Sequence, residues 1–180
     1  MLNKKDILKY FEAINDRLYE QNKFGELIIA GGAAMTLIYN ARESTQDIDA
    51  IFNPKDELRN IIRSVGIENG LDADWLNDGV KGFFTDKMTA SLYKQYSNLT
   101  VRSVDPECLL AMKLTSARLD TNDMSDSLVL MNHLNFKDID ALYDVIEKYA
   151  HKNQLTAKAK YFTIMVHEKY ANDINSENKN

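Results

Sequence analysis

The strongest constraint on this chain is a pair of signals in a fixed order. A short apolar run, Glu26-Leu27-Ile28-Ile29-Ala30, stops at Gly31-Gly32, and a second segment, Gln46 to Phe52, carries Asp47 and Asp49. The first run reads as a buried strand ended by a turn, with a short helix from Ala33 to Tyr39. The second alternates, with Ile48 and Ala50 on one face and Asp47, Asp49 and Ile51 on the other, and so reads as a strand. Each part has an ordinary reading alone: a Gly-Gly pair is usually a turn, and Asp-x-Asp is usually a solvated strand face. Strand, Gly-Gly, helix and Asp-x-Asp strand in that order is a far rarer combination.

The combination has a chemical logic. Two glycines after a strand let backbone amides approach a phosphate, and the helix behind them presents its positive end to an anion. Aspartates at i and i+2 on a strand project to one side, where their carboxylates can converge on Mg²⁺, a cation that prefers oxygen ligands and keeps substrate phosphate in its shell.

The remaining periodicities divide the chain near Asp105. Ile7, Leu8, Phe11, Ile14 and Leu18 predict a helix over Lys5 to Gln21, and Pro54 opens another to about Val65. Leu71 to Asn98 has mixed periodicity, with Trp75 as a packing anchor, and Leu99 to Val104 reads as a strand. Asp105-Pro106 predicts a carboxylate-capped helix start, with helices over Pro106 to Arg118, Asp123 to Asn132, Phe136 to Ala150 and Thr156 to Tyr170. Tyr161, Phe162 and Met165 fit the buried stripe of the last. The expected organisation is an α/β (α+β) core over 1–104, a helical part over 105–173 and a disordered polar tail over 174–180.

Composition narrows the function classes. A hydrophobic content of 44% supports a packed core. A net charge of −5 and a pI near 5.2 argue against a protein that coats nucleic acid, while leaving room for one local basic patch. Cys108 is the single cysteine, which excludes an internal disulfide and disfavours a cysteine-based zinc site. No stretch of about 18 apolar residues is present and the N-terminus lacks an apolar signal core, so the expected location is the cytoplasm with no membrane partner.

These residues resemble the DNA polymerase beta-type nucleotidyltransferase superfamily, whose signature is a Gly-Gly or Gly-Ser turn followed by Asp-x-Asp. More closely, the chain is similar to bacterial nucleotidyltransferase-fold proteins near the AbiE-type abortive-infection toxins. The likeness rests on Arg42, Thr45, Asp47, Ile48 and Asp49, then on Leu109 to Leu114, Arg118, Asp123 and Asp126, and covers roughly Leu27 to Leu134. It implies a nucleotidyltransferase fold, a small mixed sheet with flanking helices followed by a helical bundle. It implies Asp47 and Asp49 as metal ligands for Mg²⁺ or Mn²⁺, and catalytic roles for both together with Lys113 and Asp123. Gly31, Gly32, Arg42, Thr45 and Arg118 would bind nucleotide. The implied reaction moves a nucleoside monophosphate from a nucleoside triphosphate to an acceptor hydroxyl on tRNA or protein, within a toxin–antitoxin or phage-defence system and so with a cognate antitoxin as partner.

One departure stands out. Many superfamily members carry a third carboxylate on a later strand, and Leu99-Thr100-Val101-Arg102-Ser103-Val104 has none; Asp105, Asp72 and Asp74 are the other candidates. Two alternatives therefore stand beside the leading reading: an antibiotic-type enzyme acting on a small molecule, and a nucleotide-binding module without turnover.

Overall fold

The computed structural model describes residues 1–119, 121–136 and 138–177. The chain forms two compact units, one of Met1–Gly82 with Ala90–Val104, the other of Phe83–Thr89 with the chain from Asp105 onward.

The first unit opens with a two-residue strand β1 (Leu2–Asn3) and helix α1 (Lys4–Glu20). Asn3 and Asp6 close a capping box at the start of α1, each side chain accepting from the other's backbone N–H. Strand β2 (Gly25–Ile29) and helix α2 (Gly31–Leu37) follow, then β3 (Ser44–Thr45), β4 (Ile48–Asn53), helix α3 (Lys55–Glu68), β5 (Leu76–Asn77), β6 (Ala90–Gln95) and β7 (Leu99–Val104). The main sheet has the order β5-β4-β2-β7-β6, while β1 and β3 form a separate antiparallel pair. β2 runs antiparallel to β4 and parallel to β7, so the fold is the expected mixed α/β sheet with flanking helices.

Alternation along the strands sets the layers. Leu27, Ile29, Ile48, Ala50, Leu99 and Val101 point to one face and pack in a single core with Ile7, Phe11, Ile14 and Leu18 of α1 and Leu58 and Val65 of α3. Each fully buried aliphatic or aromatic side chain there contributes roughly 1.5–3 kcal/mol. Trp75 is the packing anchor expected of it: it is 3% exposed, meets Tyr10 edge-to-face at 5.3 Å and donates from Nε1 to the Ile62 carbonyl at 3.2 Å.

Several local expectations shift. α2 begins at Gly31 rather than Ala33, and β4 begins at Ile48, so Asp47 lies just ahead of the strand. β6 is a strand where the sequence offered only mixed periodicity. It is a sheet edge with no buried residue and a bulge between Leu92 and Lys94, so nothing enforces alternation.

The second unit is helical: α4 (Pro106–Ser116), α5 (Asp123–Leu134), α6 (Ile139–Tyr149) and α7 (Ala157–Glu177). Pro106 holds the first helical position as expected, but the Asp105 side chain makes no capping hydrogen bond. α4 is buried almost all round, from Cys108 through Leu114. α7 buries Ala159, Phe162, Thr163, Val166 and Tyr170, and Tyr161, expected in that stripe, is 63% exposed one position off it. α7 continues as helix through Glu177, and residues 178–180 of the expected tail lie outside those described.

Burial pushes the Cys108 thiol up to about 12. At neutral pH it should stay unmodified by a thiol reagent in native protein and react fully once unfolded, because the thiolate is the reactive form. Stoichiometric labelling of the native state would show that α4 opens readily.

Candidate active site

β2 and β4 bring the two sequence signals together. The Ala30 N–H donates to the Asp49 carbonyl at 2.9 Å, so Gly31 leaves β2 beside the Asp49 side chain. Gly31 has φ +57, and a Cβ built on it would lie 2.6 Å from Asp49 Oδ2. Gly32 is equally tight: a Cβ there would run into Thr45 Oγ1 and come within 3.1 Å of an Arg42 guanidinium nitrogen. The glycines thus let the Asp49 carboxylate and the Thr45 hydroxyl pack directly against the turn. Thr45 is held there by β3, which pairs with β1 through Leu2. Gly31, Gly32, Arg42, Thr45, Asp47 and Asp49 therefore lie in one neighbourhood of the first unit.

A further residue joins them. Asn77 on β5 sits opposite Asp49 in the parallel β4–β5 ladder and donates from Nδ2 to Asp47 Oδ2 at 3.1 Å. Its orientation is fixed on the other side, where Oδ1 accepts the Gly79 N–H at 2.9 Å. Sequence reading passed over Asn77 because it sought a carboxylate and because a two-residue strand has no periodicity. Asp72 and Asp74 are exposed.

In the second unit, Lys113 on α4 meets the start of α5. Its ammonium lies 2.9 Å from Asp123 Oδ1 and 2.8 Å from Asp126 Oδ2, with all three side chains at most 7% exposed. Arg118 closes the group from the rim, its Nε 3.1 Å from Asp123 Oδ2 and its side chain 59% exposed. Lys113 is thus buried to its ammonium rather than set at the edge of an apolar face, because α4 has no exposed edge there. Asp123 is the first residue of α5, with Asn122 at the cap position, and its carboxylate is taken up by Lys113 and Arg118. Burial alone would raise the Asp123 carboxyl; the Lys113 and Arg118 charges outweigh it and hold it below its ordinary value. Asp120 lies outside the described residues.

The family model described as "Nucleotidyltransferase of unknown function (DUF6036)" matches residues 5–174. The chain belongs to this nucleotidyltransferase family. Neither the curated proteins nor the solved structures gave a match.

In a DUF6036 chain the question for Asp47 and Asp49 is whether they suit a divalent cation. Both are partly exposed carboxylates two residues apart, Asn77 orients one of them, and the other lies against the Gly31 backbone. Two oxygen donors this close in the chain fit a hard cation such as Mg²⁺ or Mn²⁺. Among the described residues no group of three or more His, Cys, Asp or Glu side chains is placed to hold a metal.

The turn itself is testable. Gly31→Ala places a side chain in a left-handed conformation and against Asp49 together, so it should destabilise the protein by about 1–3 kcal/mol. Gly70 also has a positive φ, +63, but a Cβ there would meet nothing within 4 Å. In urea denaturation Gly70→Ala should therefore be the milder change; equal midpoints for the two variants would show that Asp49 moves aside freely.

Proposed function

We propose that this nucleotidyltransferase-family chain moves a nucleoside monophosphate from a nucleoside triphosphate to an acceptor hydroxyl, using Asp47 and Asp49 to hold a divalent cation. The observation that carries this reading is the convergence of the Asp47–Asn77 pair, Asp49 and the Gly31-Gly32 turn at one end of the sheet. When bound, Mg²⁺ or Mn²⁺ supplies charge neutralisation on the triphosphate and activation of the attacking oxygen. Asn77 keeps Asp47 aimed, and the turn keeps Asp49 pressed beside the backbone, so neither carboxylate must reorganise when substrate arrives. Arg42, Thr45 and the turn glycines are assigned to the nucleotide. In the helical unit Lys113 and Asp123 are assigned catalytic roles, and Arg118, with its guanidinium at the surface, a nucleotide contact.

In the reaction the acceptor oxygen bonds to the α-phosphorus, the bond from that phosphorus to the bridging oxygen of pyrophosphate breaks, and the acceptor proton leaves. With no third carboxylate in the described cluster, an oxygen of the triphosphate itself receives that proton. The likeness to AbiE-type toxins extends the reading to tRNA or a protein as acceptor and to an antitoxin as partner. Among the described residues no helix is long and apolar enough to cross a membrane. Incubating the protein with labelled triphosphates and total cell RNA and protein tests the whole proposal. Label should pass to a macromolecule with release of pyrophosphate, only when Mg²⁺ or Mn²⁺ is added.

The two-carboxylate cluster also supports a second reading, a module that binds nucleotide without turnover. Metal-dependent triphosphate binding in calorimetry, with no pyrophosphate released under any acceptor mixture, would select it.

A further inference from the structure

The protein is acidic overall, yet one cavity of the first unit is lined by positive charge. It has a volume of about 530 Å³ and lies where the start of α1 meets the segment between α2 and β3. Lys4, Lys5 and Arg42 line it, against one lining carboxylate, Glu43. The nearby Asp6 carboxylate is turned to the Asn3 backbone in the capping box. Lys4 uses one of its three donors on the Leu37 carbonyl at 2.8 Å, which fixes its ammonium in place. The cavity also takes in the first residues of a 17-residue helix, whose positive end adds to the field.

A second observation points to a ligand. Thr36 lines the same cavity, is 2% exposed, and its hydroxyl has no hydrogen-bond partner among the described residues. A buried hydroxyl left without a partner is destabilising, so the wall of the cavity holds one unmet hydrogen-bonding group. Arg42 ties this cavity to the turn, because one of its guanidinium nitrogens lies against Gly32.

We propose that this cavity is a phosphate-binding site, distinct from the Asp47–Asp49 pair, that receives a phosphate of the acceptor strand when the acceptor is a nucleic acid. The assignment of the phosphate to an acceptor rests on the transferase reading; the phosphate site itself does not. Cations drawn from both ends of a long sequence separation, in a cavity on an otherwise acidic chain, suit a localised anion better than a diffuse polyanion.

The test uses the full chain in EDTA, so that binding does not depend on metal held by Asp47 and Asp49. Affinity is measured for a short single-stranded RNA oligonucleotide and, in a parallel series with Mg²⁺ restored, for ATP, across a range of salt, in wild type, Lys5→Glu and Lys4→Gln/Lys5→Gln. Lys5 is exposed and its reversal should leave folding intact, which covers the case in which loss of the Lys4–Leu37 contact unfolds the double variant. RNA affinity should fall by about tenfold or more in either variant, since charge-assisted hydrogen bonds contribute at least that. The salt dependence of the double variant should be shallower by about two. ATP affinity should hold. A parallel fall in ATP affinity would assign the cavity to the donor triphosphate and overturn the proposal. Unchanged affinity for both probes in folded variants, or no binding of either by wild type, overturns the proposal. Asp47→Asn separates the two ideas, since it should leave RNA binding in EDTA untouched even if transfer is lost.

Discussion

Asp49→Asn should reduce nucleotide transfer by more than about 100-fold while leaving the melting temperature unchanged or raised. Removing a partner that only orients a metal ligand already costs about 10–100-fold, and Asp49 is proposed as the ligand itself. The stability half of the expectation comes from electrostatics. Asp47 and Asp49 lie two residues apart on the same side, and their charges repel until a cation sits between them. An amide at position 49 keeps the shape that packs against Gly31 and removes one of those charges. Calorimetry with each triphosphate, with and without Mg²⁺, and a thermal melt check both halves. A fall of several degrees in the melting temperature with transfer preserved would make Asp49 a structural residue of the turn and end the proposed mechanism. Asp47→Asn should behave similarly, with the added change that Asn77 loses a carboxylate to donate to.

What could be read from the sequence followed from which residues are forced by burial. β4 was legible from its alternation, imposed by a face that meets α1 and α3, and β2 from a short apolar run stopped by Gly31-Gly32. The turn was legible because Gly31 takes a left-handed conformation beside a close side chain, a position that excludes almost every other residue. β6 was not legible, since an exposed edge strand with a bulge imposes no pattern. Asn77 escaped because its importance lies in pairing with β4, a contact made across the helix and loop of residues 54–75. The glycines read as a close approach for phosphate also have a packing role. The space next to Gly31 and Gly32 is filled by the protein's own Asp49 and Thr45, so the glycines act first on the shape of the site. In the helical unit Lys113 was readable as a residue of interest from its resemblance string, but its burial was not. α4 carries apolar residues on every side, and a helix with no polar face gives no sign of which way its one lysine points.

Lys113→Met should destabilise the protein by about 3–5 kcal/mol at neutral pH, the usual result of removing one partner from a buried ion pair. For a chain of this size that corresponds to a drop in melting temperature on the order of 10 °C. Methionine matches the lysine stem, so the loss reports the charge and not a cavity. The pH dependence distinguishes this cause from poor packing. In the wild type the Asp123 carboxyl is held below its ordinary value. Its contribution is therefore complete above the unfolded carboxyl value, about 3.9, and is lost as pH falls through the lower folded value. Without Lys113, burial of Asp123 is opposed only by Arg118 and what else remains around it, and its carboxyl should rise above the unfolded value. The variant then binds more protons folded than unfolded, so its stability should increase as pH falls from 7 towards 5, a range over which Asp123 gives the wild type no slope. A penalty that stays constant over that range would assign the loss to packing. Lys113→Met/Asp123→Asn/Asp126→Asn removes the uncompensated charges together and should recover much of the stability. That recovered protein is the one in which to measure transfer. Full activity there would reduce Lys113 and Asp123 to a structural clamp between α4 and α5. Loss of transfer in a stable triple variant would instead require the charged cluster for the reaction, because folding would no longer account for it.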